Sequence, residues 1–184
     1  MTRQAGFTLV EVMVALAITA IALLAGLQPG TLRIDYEVEV DGLAEIEPHS
    51  PWHRIEYARP SRYCDSDKLM PVAQAEFAGL SGKALLDAVS SWVGSQLSYV
   101  SGASKPTDGA IDTYLSRQGV CRDYAHLAVA FCRCMNIPAR YCTGYLSDIG
   151  QMPPFGPMDF AAWMEVYLGG RWHTFDPRNN EPRM

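Results

Sequence analysis

The sequence predicts an α+β domain in which helices come first and an antiparallel sheet follows. Apolar residues recur at three- and four-residue steps over residues 81–97, which predicts a helix with one face in the core. A second helix is predicted to begin at Cys121, where about fifteen residues carry few polar interruptions. Residues 139–145 then form a strand candidate, and residues 164–175 form a hairpin around two glycines. Helices followed by a separate antiparallel sheet are typical of the α+β class.

The other helices are predicted from their end signals. Residues 71–80 indicate a short helix with a proline in its first turn, and Ser81 opens the longer helix that follows. Residues 107–108 can cap a third helix, and Gly119 ends it immediately before the cysteine. This turn is expected to deliver the thiol onto the next helix.

The register of the predicted hairpin follows from its turn. If residues 169–170 form a two-residue turn, Val166 faces His173 and Trp163 faces Asp176. Successive side chains of a strand alternate between its two faces, so His173 leaves the face opposite to that of Asp176. We therefore expect His173 to be a bystander in any site built around Asp176.

Composition narrows the range of functions. The chain has 184 residues, 48% of them apolar, which is enough for one globular domain and a short additional segment. Its net charge is −5 and its basic residues form no run, so nucleic acid is not an expected partner. The five cysteines are an odd number, which argues against a disulfide framework. Cys132 and Cys134 lack the usual spacing of a zinc pair, and we expect neither a metal nor a cofactor.

The first thirty residues differ from the rest of the chain. Residues 7–27 are apolar except for Glu11 and a few small residues. As a helix, about 20 such residues span about 30 Å, the thickness of the hydrocarbon core of a bilayer. We therefore expect a helix of transmembrane length here, preceded by a short basic start. A buried helix stays open as the alternative.

Two further stretches are predicted from local pattern. Residues 32–40 alternate apolar and charged side chains and predict a half-exposed strand, whereas residues 41–60 are irregular. The histidines of that irregular stretch, His49 and His53, are expected in a solvated loop. Residues 147–157 are rich in glycine and proline and predict a loop that could border a cleft.

Cys121 is the candidate nucleophile because of its place on the predicted helix. The free N–H groups and the positive dipole end of a helix N-terminus stabilise a thiolate, which is the nucleophilic form of cysteine. Three polar residues of the helix, Arg122, His126 and Arg133, fall on a different stripe. The alternative is that Cys121 is one more small buried apolar residue, as most free cysteines are.

The sequence blocks around Cys121 resemble a known family. Residues 119–127 read Gly-Val-Cys-Arg-Asp-Tyr-Ala-His-Leu, residues 62–65 read Arg-Tyr-Cys-Asp, and residues 176–180 read Asp-Pro-Arg-Asn-Asn. In this order the blocks resemble the bacterial transglutaminase-like cysteine peptidase family, over roughly residues 61–180.

The resemblance implies a fold and a chemistry. The fold is the papain-like transglutaminase core, in which the cysteine helix packs on an antiparallel sheet. The chemistry is thiol acyl transfer on protein or peptide amides, with Cys121 as nucleophile and Asp176 as the carboxylate that orients a histidine. That histidine falls on residue 161. Where the family typically reads His-Ala-Trp, this chain reads Ala161-Ala162-Trp163, so activity is expected to be impaired.

The N-terminus resembles a second family. Residues 6–11 read Gly-Phe-Thr-Leu-Val-Glu, similar to the start of type IV pilins and type II secretion pseudopilins. The resemblance implies cleavage after Gly6, a mature terminus at Phe7, and Glu11 at the family's glutamate position. A carboxylate in a bilayer is costly unless it has a partner, and in that family the partner is the amine of a neighbouring subunit.

These observations divide the chain into three parts. Residues 1–30 are a prepilin-like leader and membrane helix, and residues 61–184 are the transglutaminase-like domain. Residues 31–60 are expected to be a remnant of the β domain that the resemblance implies before the catalytic core.

Three functions remain open at this point. The chain can be an impaired thiol acyltransferase or cysteine peptidase, an inactive relative that binds peptides, or a pseudopilin-type subunit of a secretion or pilus system. The N-terminal segment predicts anchoring in the inner membrane with the domain in the periplasm. A thiol-rich core is more typical of the cytoplasm, which is the alternative location if residues 1–30 are not part of the working protein.

Overall fold

The computed structural model describes residues 50–145 and 160–180. All of them belong to the second of two compact units of the chain, residues 46–184. The predicted membrane helix at 7–27, the predicted strand at 32–40 and the predicted loop at 147–157 lie outside the described residues. Among the described residues, none of the helices has both the length and the apolar character needed to cross a bilayer.

All five described helices precede the three longer strands, as expected, and two short strands lie between the helices. The helices are α1 Pro51–Glu56, α2 Ser66–Glu76, α3 Gly82–Gln96, α4 Ala110–Ser116 and α5 Cys121–Cys134. The strands are β1 Ser98–Tyr99, β2 Gln118–Gly119, β3 Ala139–Tyr145, β4 Phe160–Leu168 and β5 Arg171–Phe175. The α+β prediction is confirmed.

Helix α5 is the centre of the domain. It begins at Cys121, as the sequence predicts, and every residue from Asp123 to Cys134 is buried. One side of α5 packs against α2, α3 and α4, and another side packs against β3 and β4. An apolar helix of this kind is stable because neighbours cover its whole circumference. Even two residues of its predicted polar stripe, His126 and Arg133, are buried.

The main sheet has three antiparallel strands in the order β3-β4-β5. Gly169 and Gly170 both have positive φ, 60° and 89°, as a primed two-residue hairpin turn requires. Val166 pairs with His173 and Leu168 pairs with Arg171, which confirms the predicted register. The hairpin extends further than predicted, since β4 starts at Phe160.

The two faces of this sheet have different neighbours. Met164 and Val166 alternate onto the face that joins the core with α5, and both are fully buried. On the other face, Arg140 is paired with Glu165 at 2.6 Å and its guanidinium lies over the ring of Trp172. Tyr57, directly after α1, packs edge-on against the same tryptophan. The sheet is thus covered on both sides.

Helix α2 differs from its prediction. It runs from Ser66 to Glu76, so Pro71 lies inside the helix instead of at its start. A proline inside a helix removes one backbone hydrogen bond and usually breaks the helix. Here Leu69 and Ala73, on either side of it, are fully buried in the core. Their burial outweighs the local signal from proline.

The predicted ends of α4 are also wrong. The helix starts at Ala110 after an N-cap at Gly109, one residue beyond the predicted capping pair at 107–108. It ends at Ser116, where Arg117 takes the left-handed conformation with φ of 57°. Gly119 therefore does not terminate this helix, and its role lies in the turn before Cys121.

The short helix α1 falls in a stretch that the sequence predicts to be irregular. The Ser50 hydroxyl accepts a hydrogen bond from the Trp52 N–H at 3.3 Å, and Pro51 occupies the first helical position, where proline is favoured. His53 is half-buried against Tyr57, with ring centroids 5.8 Å apart, instead of lying in a solvated loop.

Candidate active site at the start of helix α5

Cys121 is the first residue of α5 and is half-buried. The carbonyl of Val120 accepts hydrogen bonds from the N–H groups of Asp123 at 2.8 Å and Tyr124 at 3.2 Å, which fixes the first turn. N–H groups at the start of a helix have no acceptor within the helix and carry the positive end of its dipole. The thiol of Cys121 therefore lies at the N-terminus of α5, beside these N–H groups.

Asp123 holds the turn that carries Cys121. Its carboxylate is fully buried and accepts from the Val120 N–H at 2.7 Å and from the Ser104 hydroxyl at 2.5 Å. It is also paired with Arg122 at 2.8 Å. A Cβ on Gly119 would lie 2.6 Å from the Asp123 Cβ, so only glycine allows this approach.

Arg122 connects the same turn to the preceding loop. Its guanidinium donates to the Lys105 carbonyl at 2.9 Å and to the Ser104 hydroxyl at 3.0 Å. Strands β1 and β2, which were not predicted, pair in parallel and bring Val100 onto the carbonyl of Gly119 at 3.0 Å. Residues 100–105 are therefore fixed beside the first turn of α5.

The position of Cys121 along the strand direction of the sheet follows from the antiparallel arrangement of α5 and β3. At the far end of the helix, Arg133 donates to the carbonyl of Ala139, the first residue of β3, at 2.8 and 3.0 Å. Twelve helical residues rise about 18 Å, which equals about five or six residues of a strand. Cys121 is thus about level with Gly144, whose partner on β4 is Ala161.

Asp176 follows β5 at the same end of the sheet. It is 4% exposed and accepts from the N–H groups of Arg178 at 3.1 Å and Asn179 at 3.2 Å, and from the Asn179 side chain at 2.6 Å. If the hairpin register continues by one residue, Asp176 faces Trp163 and lies diagonal to Ala161. Ala161 and Asp176 thus lie at the end of the sheet with which Cys121 is about level, on the face opposite to that of Met164 and Val166.

No histidine among the described residues occupies the place beside Asp176. His173 pairs with Val166, three residues before Asp176, and its Nε2 lies 3.1 Å from the Leu168 carbonyl. Its predicted face is confirmed. Ala161 and Ala162 are 4% and 3% exposed, and by alternation only Ala161 shares a face with Asp176.

Three contributors to this site have no clear signal in the sequence. Asp123 is close to Cys121 in the sequence, but Ser104 is nineteen residues from Asp123, and their contact depends on the fold. Tyr141 is in a predicted strand, but its closeness to Cys121 depends on how β3 packs on α5. Burial raises the pKa of Tyr141, and Cys121, Arg122 and Asp123 all act on its phenol electrostatically.

The other four cysteines have a different environment. Burial raises the pKa of Cys64 to about 11. Burial likewise raises the pKa of Cys132, Cys134 and Cys142, each to about 12. A thiol with such a pKa stays protonated and unreactive at neutral pH.

Other ligand sites are not evident near these residues. Within residues 50–145 and 160–180, no group of three or more His, Cys, Asp or Glu side chains is arranged to hold a metal. A groove of about 400 Å³ lies between the 103–108 loop and α4. Cys121, Ala161 and Asp176 do not line it, and we do not assign it to the chemistry of the thiol.

Comparison with family models gives two matches. The model of the transglutaminase-like superfamily matches residues 55–177. The model of the prokaryotic N-terminal methylation motif matches residues 1–27. The two resemblances stated from the sequence are therefore confirmed.

Individual relatives agree with the first match. A candidate cysteine protease from Cytophaga hutchinsonii has a crystal structure that is 41% identical, with a TM-score of 0.63, over 70% of this chain and 43% of that one. The periplasmic domain of TgpA from Pseudomonas aeruginosa is 22% identical, with a TM-score of 0.55 over 72% of this chain and 49% of its own, and shares the fold. An uncharacterized protein of Mycobacterium leprae is 27% identical over 84% of this chain and 54% of its own length. The chain thus spans about half the length of these relatives.

Proposed function

The chain belongs to the transglutaminase-like superfamily, and on that premise we propose that Cys121 accepts acyl groups from protein or peptide substrates, with amide turnover impaired at residue 161. The observation that carries the proposal is the position of the thiol. Cys121 begins a buried helix at the end of the sheet where Asp176 and Ala161 also lie. The 41% identity to a candidate cysteine protease supports the same chemistry.

The reaction has two stages that depend on different groups. The Cys121 thiolate attacks a carbonyl carbon, a C–S bond forms, and the π electrons of the carbonyl move onto oxygen. Collapse of this intermediate then breaks the bond to the leaving group and gives a thioester. An amine leaves only after it gains a proton, which a histidine normally supplies. Ala161 has no proton to give.

The nature of the leaving group therefore separates the two stages. A p-nitrophenolate ion leaves an ester without being protonated. We expect the chain to be acylated by a p-nitrophenyl ester and to turn over amides slowly, because only the amide needs the missing acid.

The test is a stopped-flow assay of the full chain with p-nitrophenyl acetate, followed by intact-mass and peptide mapping. The expected result is a burst of p-nitrophenolate close to one equivalent and one acetyl group on Cys121. The burst should be lost in Cys121→Ser and kept in Cys142→Ser, which removes the other half-buried cysteine. Acetylation that is equal in wild type and Cys121→Ser would overturn the proposal.

The alanine at residue 161 favours a second candidate function, that of an inactive relative that binds a peptide at the same end of the sheet. This function predicts no acetylation of Cys121 by the ester. It also predicts saturable peptide binding that Cys121→Ser leaves unchanged, measured by fluorescence anisotropy with a peptide library.

We also propose that residues 7–27 anchor the chain in the inner membrane, with the domain in the periplasm and pilin or secretion subunits as possible neighbours. The match of the methylation motif to residues 1–27 supports this. Mass analysis of the mature protein should find a methylated Phe7 at its N-terminus. A terminus beyond residue 30 would contradict the proposal.

A further inference from the structure

Tyr141 lies on the sheet face that packs against α5. It pairs with Met164 of the core, and its ring centroid is 4.9 Å from that of His126 on α5. Its side chain is 36% exposed. The tyrosine therefore has one surface held by the core while part of it remains open to a ligand.

His126 and Tyr63 hold this ring in place. His126 stacks on Tyr63 with ring centroids 5.3 Å apart and planes only 5° from parallel, and it contacts Tyr141 on a tilt of 43°. His126 is 6% exposed, and its Nδ1 has no hydrogen-bond partner in the described part of the chain. Burial, with Arg122 nearby, lowers the pKa of His126 to about 4. It is therefore a neutral, flat spacer at neutral pH.

The phenol of Tyr141 lies near enough to the start of α5 to interact with it electrostatically. Groups that act on it electrostatically are Cys121, Arg122 and Asp123, which are the first three residues of that helix. It also interacts with the side chain of Thr143, two residues further along β3. Thr143 in turn donates to the carbonyl of Ala161 at 2.9 Å. The Tyr141 hydroxyl thus interacts with the thiol electrostatically and, through Thr143, is linked to the start of β4.

We propose that the Tyr141 hydroxyl donates a hydrogen bond to the substrate carbonyl oxygen when the Cys121 sulfur attacks, and that His126 is the positioning residue for it. This inference rests on the proposed function of Cys121. A donor aimed at the oxygen where negative charge develops stabilises the transition state more than the ground state. Tyr141 keeps its proton throughout, since burial raises its pKa.

The electrons balance without a further reactant. The C–S bond forms as the carbonyl π pair moves to oxygen, and the Tyr141 hydroxyl hydrogen-bonds to that oxygen. When the pair returns, the bond to p-nitrophenolate breaks and the thioester remains. Alkylation by iodoacetamide differs, because the sulfur displaces iodide from a saturated carbon and no charge develops on an oxygen.

The experiment compares these two reactions at Cys121 in Tyr141→Phe. We expect the rate of acylation by p-nitrophenyl acetate to fall about 100-fold, as for loss of one oxyanion donor. The rate of alkylation by iodoacetamide should stay within about twofold of wild type, because its transition state has no oxyanion. Tyr57→Phe is the control, since it removes a tyrosine hydroxyl from the other face of the sheet, where Tyr57 packs on Trp172, and it should change neither rate.

Two further variants test His126. His126→Phe keeps a flat ring between the tyrosines and should keep acylation, whereas His126→Ala should lose it with alkylation unchanged. Equal loss of both reactions in Tyr141→Phe, or loss of neither, would overturn the role of Tyr141 while leaving the proposed function of Cys121 intact. Absence of any acylation at Cys121 in wild type would overturn the proposed function and this inference with it.

Discussion

The half of the candidate site on α5 and the half on the sheet are held by the fold to different degrees. On α5, the buried Asp123 carboxylate bonds to Val120, Ser104 and Arg122, so the turn that carries Cys121 is tied to the surrounding loop. On the sheet, Ala161 has only its methyl group at the position where an imidazole is expected. Asp176 bonds within its own turn, to residues 178 and 179.

This difference shows which parts of a site the fold itself preserves. Loss of Asp123 would leave the half-buried Val120 N–H and Ser104 hydroxyl without this partner, which destabilises the protein. Replacement of a histidine by alanine at residue 161 leaves no such group. Under the proposed function, stability constrains the turn that carries Cys121, whereas only activity constrains residue 161.

Labelling of Cys121 by iodoacetamide faster than that of the other cysteines would sharpen this comparison. At pH 8, a thiol with a pKa of about 12, as for Cys132 and Cys142, is only about one part in 10⁴ thiolate. We expect iodoacetamide to label Cys121 at least about 1000-fold faster than these two residues in the folded chain. Peptide mapping over time measures the rates, and equal labelling of Cys121 and Cys142 would be the contrary outcome.

Asp123→Asn tests whether the α5 half is needed for folding. Because the buried carboxylate accepts charge-assisted hydrogen bonds, we expect the free energy of unfolding to fall by about 3 kcal/mol. Asp87→Asn is the control: Asp87 is in an exposed pair with Lys83, which should contribute less than about 1 kcal/mol. Urea unfolding of both variants measures the difference, and equal stabilities would show that Asp123 does not hold the turn.

The buried His126 predicts a pH dependence of stability. Its pKa is about 4 in the fold and 6.5 in the reference state. Between these pH values the unfolded chain binds a proton at His126 that the folded chain does not. The free energy of unfolding is therefore unaffected by this group above pH 6.5 and falls as the pH drops toward 4. The loss is about 1.4 kcal/mol per pH unit, roughly 3 kcal/mol in total. His126→Phe should flatten this slope in urea unfolding at pH 4.5 and 7, and an unchanged slope would exclude His126 as its source.

The smallest effect is expected at His173. It faces Val166 and lies beside the hairpin turn, on the face opposite to that of Asp176. His173→Ala should leave the rate of Cys121 acylation unchanged within about twofold. A large loss without unfolding would mean that this histidine substitutes for the missing base.

How well the sequence predicts these features depends on how local their causes are. The register of β4 and β5 follows from Gly169 and Gly170, because a two-residue turn fixes every pair beyond it. The start of α5 at Cys121 follows from a run of residues with few polar interruptions after a glycine turn. These features were predicted correctly because a few neighbouring residues determine them.

Features that depend on distant contacts were not predicted. Pro71 indicates a helix start, but burial of its neighbours against α5 extends α2 through it. The approach of Tyr141 to Cys121 requires β3 to run antiparallel to α5, which no local pattern encodes. Ala161 is an intermediate case, because its position relative to Asp176 follows from the register but its role follows only from family resemblance.

Under the proposed function, the α5 half of the site is intact and residue 161 is its defect. The decisive measurement is amide hydrolysis by Ala161→His, compared with Ala162→His, which places the same side chain on the face of β4 that carries Met164 and Val166, at an equally buried position. We expect Ala161→His to raise Cys121-dependent hydrolysis of a peptide amide by about 100-fold or more, the scale of a positioned general base. Ala162→His should give no gain, and circular dichroism should show both variants folded. Gain in Ala162→His alone, or in neither folded variant, would contradict the claim.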